Sequence, residues 1–385
     1  MQFTLSEEHL MIRKAAKDFA VNECLPGVID RDEHQKFPYD QVKKLAALGF
    51  MGMMVDPKYG GSGLDTVSYV LAMEEISKID ASVSVCMSVN NSLVCWGLET
   101  FGSEQQKEKY LTPLAQGIKD NELYIGAFLL SEPEAGSDAS SQRTLATDDG
   151  DHYVLNGTKN WITNGNTASV YLVMAQTDVS KGSKGINAFI VEKNWPGISV
   201  GSKENKLGIR GSDTHSVMFQ DVKVPKENRI GDDGFGFIFA MKTLAGGRIG
   251  IASQALGIAA GALDLSLKYS RERKAFGKPI NMHQAIQFKI SDMATRVEAS
   301  RLLCLKAAWD KDNNKDYTVS SSMAKVFSSE TAMWATIEAV QIHGGYGFIK
   351  DYPVEKFYRD VKLCTIGEGT SEIQRLVIAR QLLKS

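Results

Sequence analysis

One glutamate of this sequence stands in a setting that frees its carboxylate for chemistry. Glu368 lies between Gly367 and Gly369, and glycine on both sides lets the backbone bend so that the carboxylate can reach into a cavity. A carboxylate held in a cavity is a candidate general base, because burial raises its pKa toward the pH at which proton abstraction is efficient. Taken alone, the same pattern also fits an exposed loop glutamate.

Four segments carry the remaining informative residues. In chain order they read FLLSEPEAGSD at 128–138, NWITNG at 160–165, RKAFG at 273–277 with Gln284 and QIHGGYG at 341–347 behind it, and GEGTSEIQR at 367–375. The glycines of the QIHGGYG run resemble part of a dinucleotide fingerprint. A Rossmann loop follows a strand, however, whereas these glycines follow a helix-like stretch.

Several other classes of function are disfavoured. The net charge of −2 argues against nucleic acid as the main partner. The six histidines are scattered without ligand spacing, the five cysteines form no C-x-x-C pair, and no G-x-S-x-G elbow occurs, so we expect neither a metal site nor a serine hydrolase. No secretory signal and no long uncharged apolar run are visible, and we expect a cytoplasmic protein without a membrane span.

The texture of the sequence changes twice along its 385 residues. Residues 1–122 consist mainly of good helix formers. Residues 123–230 contain short β-branched and aromatic runs, and Asn156-Gly157 predicts a hairpin turn between two of them. Helical periodicity returns in residues 231–385. The sequence therefore predicts an α+β protein with an N-terminal helical domain, a middle β-barrel or sheet domain, and a C-terminal helical bundle.

With the four segments in this order over the whole chain, the sequence resembles the acyl-CoA dehydrogenase family, and most closely its short-chain, butyryl-CoA branch. The resemblance implies a four-helix bundle at the C-terminus and FAD as the cofactor. A flavin ring has a polar edge and a flat apolar face; Ser131 and Thr163 offer hydroxyls to the edge, and Trp161 offers an aromatic surface. Arg273 offers a planar donor fork to the pyrophosphate.

The resemblance assigns further roles residue by residue. Glu368 matches the catalytic base; some relatives place that base just before an arginine, but here Gly247 precedes Arg248, so no glutamate competes. The implied FAD contacts are Phe128, Leu130, Ser131, Ser137, Trp161, Ile162, Thr163, Thr370 and Glu372, together with Arg273, Phe276, Gln284, Gln341, Gly344 and Gly345, the last groups coming from a neighbouring subunit in the family. The implied substrate contacts are Ser137, Ala245, Arg248 and Gly369.

The reaction implied is α,β-dehydrogenation of an acyl-CoA to a trans-2-enoyl-CoA, with electrons passed to an electron-transferring flavoprotein and with the subunits assembled as a homotetramer, a dimer of dimers. A short acyl chain, C4 to C6, is expected. Met87 and Leu93 either floor a shallow acyl pocket or serve as plain helix core, and Gly367, where short-chain relatives commonly carry tyrosine, widens that pocket. A branched-chain or other acyl-CoA dehydrogenase, an oxidase or enoyl-CoA reductase on the same scaffold, and a non-catalytic assembly protein stay open as alternatives.

Overall fold

The first part of the chain is helical in the computed structural model, which describes residues 4–384. Ser6 caps the first helix, because its side chain accepts a hydrogen bond from the His9 N–H at 3.1 Å. The α-helices are α1 (Glu7–Phe19), α2 (Val28–Glu33), α3 (Tyr39–Ala47), α4 (Thr66–Ser77), α5 (Ala81–Ser88), α6 (Trp96–Phe101), α7 (Glu104–Gln106) and α8 (Thr112–Gln116), with π-helical turns at Ala20–Cys24, Val89–Cys95 and Lys107–Leu111.

A sheet of eight strands follows, in the order β10-β7-β6-β4-β5-β9-β8 with β3 also paired to β6. The strands, including the small β1–β2 ladder before the sheet, are β1 (Ile118–Lys119), β2 (Glu122–Leu123), β3 (Gly126–Leu129), β4 (Leu145–Asp148), β5 (His152–Thr163), β6 (Val170–Gln176), β7 (Ile186–Glu192), β8 (Ile198–Val200), β9 (Thr214–Pro225) and β10 (Arg229–Ile230). Strands β6 and β7 are almost wholly buried, which agrees with their continuous apolar sequences.

The predicted hairpin turn at Asn156-Gly157 is wrong. Both residues lie inside the twelve-residue strand β5, which pairs antiparallel with β9 from His152 to Thr163. The register of this pair shifts between Leu155 and Gly157, where β9 carries one residue more than β5, so the irregularity is a β-bulge and not a turn. The Asn-Gly signal was local, whereas the twelve-residue partner strand keeps the chain extended through it.

The C-terminal part returns to helices. They are α9 (Gly236–Glu272), α10 (Gln284–Asp312), α11 (Thr318–His343), α12 (Val354–Asp360) and α13 (Ser371–Leu382), with a short ladder of β11 (Lys274–Ala275) and β12 (Lys278–Pro279) after α9. Helix α9 is buried along most of its 37 residues, and its many small residues let α4, α10 and α11 pack closely around it. The sequence of helical, sheet and helical regions confirms the predicted α+β fold class.

Two structural details bear on the sequence predictions. Strand β2 crosses the predicted boundary at 122/123 and β10 ends at the one at 230/231, so both boundaries stay predictions.

Two helical stretches, Ala81–Phe101 and Gly236–Glu272, have the length and hydropathy of a membrane span. Their most apolar windows are 94% and 83% buried inside the protein, as is usual for core helices.

Candidate active site

A cleft of about 740 Å³ lies where the sheet meets the C-terminal helices. Its wall combines the chain after β3, the end of β5, helix α9 and the segment that leads into α13. Helices from one side and a sheet from the other thus bring together residues that are far apart in sequence. The predicted site residues that line this cleft are Phe128, Leu130, Ser131, Ser137, Trp161, Ile162, Thr163, Arg248, Glu368, Gly369 and Thr370.

Glu368 sits in a tight left-handed turn just before α13. Its φ is 56° and that of Gly369 is 94°, so two consecutive residues occupy a region that only glycine adopts easily. Thr370 then caps the helix by accepting the Ile373 N–H at 3.3 Å. The amide of Gln374 donates to the carbonyls of Glu368 at 3.3 Å and Gly369 at 3.1 Å. The turn is therefore held from the first turn of its own helix.

The Glu368 side chain lies half-buried in the wall of the cleft, and one of its carboxyl oxygens is fully buried. Its Oε2 has no hydrogen-bond partner within residues 4–384. Burial raises the pKa of Glu368 to about 7, and the nearby charges of Lys325 and Arg248 oppose that rise. The carboxyl packs against α9 at Gly247, where a Cβ would lie only 2.1 Å from Oε2. The arrangement gives a carboxyl that can exchange a proton near neutral pH and that has one oxygen free to receive it.

Two buried cations flank this carboxyl. Arg248 of α9 donates from Nη1 to Ser322 Oγ at 3.4 Å, and its Nε is buried with no partner in the described chain. Lys325 of α11 is fully buried, donates to the carbonyl of Gly369, and has its pKa lowered to about 8 by burial. Ala245, also expected near the substrate, is buried on α9 one turn before Arg248 and does not line the cleft.

Across the cleft, Trp161 stands on a bulge of β5 itself. The register with β9 shifts between Lys159 and Ile162, and Trp161 adopts a φ of 57°, which is rare for an aromatic residue. Its side chain is 54% exposed although it lines the cleft. An exposed indole on a strained backbone is typical of a surface that binds a flat ligand.

A buried ion pair fixes the loop that carries Ser131. Lys159 Nζ donates to the Leu130 carbonyl at 3.0 Å, to Glu132 Oε1 at 2.7 Å and to Gln142 Oε1 at 2.9 Å. Sequence reasoning missed Lys159. It shares the buried parity of Tyr153 and Leu155 along β5, and a lysine at an inward-facing strand position signals a buried partner.

A second cavity, of about 440 Å³, gathers another part of the prediction. Its lining includes Tyr269, Arg273, Gly344, Gly345 and Tyr346. The guanidinium of Arg273 lies 5.5 Å from the centre of the Tyr346 ring, within cation–π range. A Cβ added at Gly344 or Gly345 would meet nothing within 4 Å, so this wall is open to a close-approaching ligand.

The predicted cofactor residues therefore fall into three groups on one chain: those of the cleft, those of the second cavity, and four exposed residues that line neither. Phe276 is 96% exposed, and Gln284 at the start of α10 and Gln341 near the end of α11 are also exposed. None of these three residues lines the cleft of Glu368. Glu372 is exposed in the first turn of α13, two residues beyond the cleft-lining Thr370. Within the described residues, no group of three His, Cys, Asp or Glu side chains could hold a metal ion.

Comparison with known proteins gives consistent matches along the chain. Family models match residues 6–118 (acyl-CoA dehydrogenase, N-terminal domain), 127–222 (middle domain) and 234–383 (C-terminal domain). The mitochondrial short-chain specific acyl-CoA dehydrogenase of Rattus norvegicus is 50% identical over 381 residues, covering 99% of this chain and 91% of the relative. The structure of butyryl-CoA dehydrogenase from Megasphaera elsdenii is 47% identical, with a TM-score of 0.97 and full coverage of both chains.

A third match, with the same identity, TM-score and coverage, is a chain from a structure described as the electron transferring flavoprotein of Acidaminococcus fermentans, in work toward a mechanism of flavin-based electron bifurcation. The three models together cover most of the sequence, and the relatives align over nearly all of it. The chain therefore belongs to the acyl-CoA dehydrogenase family and is an oxidoreductase.

Proposed function

We propose that this chain dehydrogenates a short-chain acyl-CoA, C4 to C6, to the trans-2-enoyl-CoA, with FAD as cofactor and Glu368 as the base that removes the α-proton. The observation that carries the proposal is the buried carboxyl of Glu368, whose Oε2 has no partner and whose pKa is raised to about 7. A structural glutamate buried at this cost would be fully hydrogen-bonded. An unsatisfied carboxyl that lines a cleft is the arrangement expected of a general base.

The protein's own residues account for the proton step. The Glu368 carboxylate takes the α-proton at Oε2, and the neutral acid that results is the form favoured by burial. Arg248 and Lys325 keep part of the population ionised before the reaction, because both positive charges favour the carboxylate. Apolar side chains of the wall, among them Val89, Leu93 and Ile251, exclude water from the reacting atoms.

The residues of both cavities fit a flavin dinucleotide. FAD, when bound, supplies the acceptor for the hydride that leaves the β-carbon. Ser131 and Thr163 present hydroxyls to the cleft and Trp161 presents an exposed indole. Arg273 presents a guanidinium, suited to a pyrophosphate, in the other cavity.

The separation of the two cavities supports a shared cofactor site. A ligand held mainly by another copy of the chain could contact several groups here. These are the exposed side chains of Arg273 and Phe276 and the open wall at Gly344 and Gly345. We therefore propose a homo-oligomer in which neighbouring subunits complete each FAD site, assembled as a tetramer. A partner electron-transferring flavoprotein reoxidises the cofactor. This role is supported by the match to a chain from the structure described as the electron transferring flavoprotein of Acidaminococcus fermentans.

The preference for a short acyl chain is supported by the cleft wall and by the short-chain relatives. Leu93 lines the cleft, whereas Met87 is fully buried in the N-terminal core and belongs to plain helix packing. At Gly367 an added Cβ would have its nearest neighbours, atoms of Leu363, at 3.5 Å, so a side chain could be accommodated there. The missing side chain leaves room beside Glu368, and modestly branched acyl groups are expected to be accepted as well.

The test is an anaerobic titration of purified protein with butyryl-CoA, following the flavin band near ~450 nm, beside the variant Glu368→Gln. Removing a catalytic base costs on the order of 10³-fold or more in rate. Bleaching of the wild type that nearly disappears in Glu368→Gln supports the reaction and the base. Faster bleaching by octanoyl-CoA or isovaleryl-CoA would overturn only the proposed chain-length preference. A colourless protein that does not bind added FAD would overturn the proposed FAD-dependent reaction.

A further inference from the structure

The turn that carries Glu368 needs support from outside itself. Glu368 and Gly369 have φ values of 56° and 94° in succession. A non-glycine residue in the left-handed region persists where surrounding contacts over-determine it. The cap at Thr370 fixes the start of α13, but it does not hold the two carbonyls that precede it.

Those carbonyls are held by two donors from different directions. Gln374, on the first turn of α13, donates from Nε2 to the Glu368 and Gly369 carbonyls. Lys325 comes from α11, 44 residues away in sequence, and donates from Nζ to the same Gly369 carbonyl. Because Lys325 is wholly buried, its ammonium group has little freedom to leave this contact.

Helix α11 also organises the second cation of the site. Ser322 lies three residues before Lys325 and therefore on the same helix face. Its hydroxyl accepts from Arg248 Nη1 at 3.4 Å and donates to the Thr318 carbonyl at 2.8 Å. One face of α11 thus carries Lys325 and contacts Arg248, the two cations whose charges act on the carboxyl of Glu368.

We propose that Lys325 is a positioning residue for Glu368: its buried ammonium group clamps the Gly369 carbonyl and holds Glu368 in the left-handed turn that aims its carboxyl into the cleft. This inference rests on the proposed role of Glu368 as the base. Lys325 itself does not line the cleft, so its effect is exerted through Glu368.

The same charge tunes the base that it positions. Burial raises the pKa of Glu368, and two positive charges oppose this rise. Of these two, Lys325 lowers the pKa more than Arg248 does. Removing the ammonium group is therefore expected to raise the pH at which the base becomes active. The other titratable groups that interact with Glu368, Lys325 or Arg248 are Tyr69 of α4, Tyr317 before α11, Cys364 and Glu372.

The experiment uses the FAD-loaded protein and the variants Lys325→Met and Lys325→Arg. The rate of flavin bleaching by saturating butyryl-CoA is measured across pH, with bound FAD and butyryl-CoA affinity measured separately. In Lys325→Met the plateau rate at high pH is expected to fall by about 10²-fold, the cost of an ångström-scale misplacement. The pH midpoint is expected to rise by about one unit, with FAD content unchanged.

Lys325→Arg keeps the charge and an N–H donor, so it is expected to recover at least about tenfold of the lost rate and the original midpoint. A wild-type rate and midpoint in Lys325→Met would overturn the inference. A rate that is lost in Lys325→Met and not recovered in Lys325→Arg, with the pH midpoint unchanged, would show only a structural role for Lys325. That result would also overturn the inference. Lys14→Met, an exposed lysine of α1, is the matched control and should behave as wild type.

Two further variants keep the result decisive. Should Lys325→Met fail to fold, Lys325→Gln retains a donor without the charge and should keep most of the plateau rate while the midpoint rises; an unmoved midpoint overturns the inference. Glu368→Gln is run in parallel. Activity that survives in Glu368→Gln would overturn the proposed base itself, whereas an inactive Glu368→Gln beside a wild-type Lys325→Met would overturn only the role of Lys325.

Discussion

A single methyl group on α9 should separate catalysis from stability. A Cβ at Gly247 would lie 2.1 Å from Glu368 Oε2, 3.0 Å from Glu368 Cδ and 2.7 Å from Leu93 Cδ2. These atoms are the ends of flexible side chains, so the backbone of α9 need not move in Gly247→Ala. The carboxyl must instead retreat by roughly 1 Å to reach normal contact, and a displacement of that size costs on the order of 10²-fold in rate.

The free energy of unfolding of Gly247→Ala should rise or stay constant. Replacing glycine by alanine inside a helix gains about 0.5–1 kcal/mol from backbone entropy, which offsets the rearrangement of two side-chain ends. We therefore expect Gly247→Ala to unfold in urea at or above the wild-type midpoint while butyryl-CoA bleaches its flavin about 10²-fold more slowly. Stopped-flow bleaching under anaerobic conditions and urea unfolding followed by circular dichroism measure the two effects.

The neighbouring residue supplies the control. A Cβ at Gly246 would have its nearest neighbours, Ser92 O and Tyr317 Oη, at 3.9 and 4.0 Å, which are ordinary contacts. Gly246→Ala should gain the same helix stability, and its loss of rate should be at least about tenfold smaller than that of Gly247→Ala. Equal losses in the two variants, or a wild-type rate in Gly247→Ala, would refute the packing of the carboxyl against α9.

Three other predictions use different parts of the site. Because folding raises the pKa of Glu368 from 4.5 to about 7, the folded protein holds this proton more tightly than the unfolded chain. Its stabilising contribution is full below the unfolded pKa and is lost as pH rises through about 7, so wild type should lose stability relative to Glu368→Gln over that range; parallel urea midpoints would contradict the buried carboxyl. Lys159→Met should cost about 3–5 kcal/mol in urea unfolding, because the buried Glu132 is left charged without its cation, with only the backbone N–H groups of Arg143 and Thr144 donating to it, and Lys159→Met with Glu132→Leu should recover part of that loss; a wild-type midpoint in the single variant would contradict the ion pair. Co-expressed Arg273→Ala and Glu368→Gln subunits should form mixed oligomers with some intact sites, so activity should exceed that of either variant alone; no recovery would argue against a shared FAD site.

The fold was largely readable from local sequence texture. Helix formers, β-branched runs and renewed helical periodicity predicted three regions in the right order, because these signals depend on neighbours a few residues apart. The Asn156-Gly157 turn failed for the same reason: a favoured two-residue turn was overridden by the long partner strand β9. Pairing between distant strands is a property of the whole sheet and leaves little trace in a dipeptide.

The candidate site shows the same division. Ser131, Trp161, Thr163 and Glu368 stand in recognisable segments, and the structure brings all four to one cleft. The glycines on each side of Glu368 already indicated an unusual turn, since residue type limits φ directly. The sequence by itself thus determined the chemical groups and the family to which the chain belongs.

Only the tertiary structure decided how those groups are used. It placed Arg273 and the Gly344 wall in a separate cavity, and it revealed Lys159 and Lys325, each paired with atoms tens of residues away. It also decided that Glu368 is half-buried, with Oε2 buried and without a partner, and not fully exposed on a loop. Burial, charge neighbours and the pKa that follows from them depend on which elements pack together, and packing brings together residues that the sequence keeps far apart.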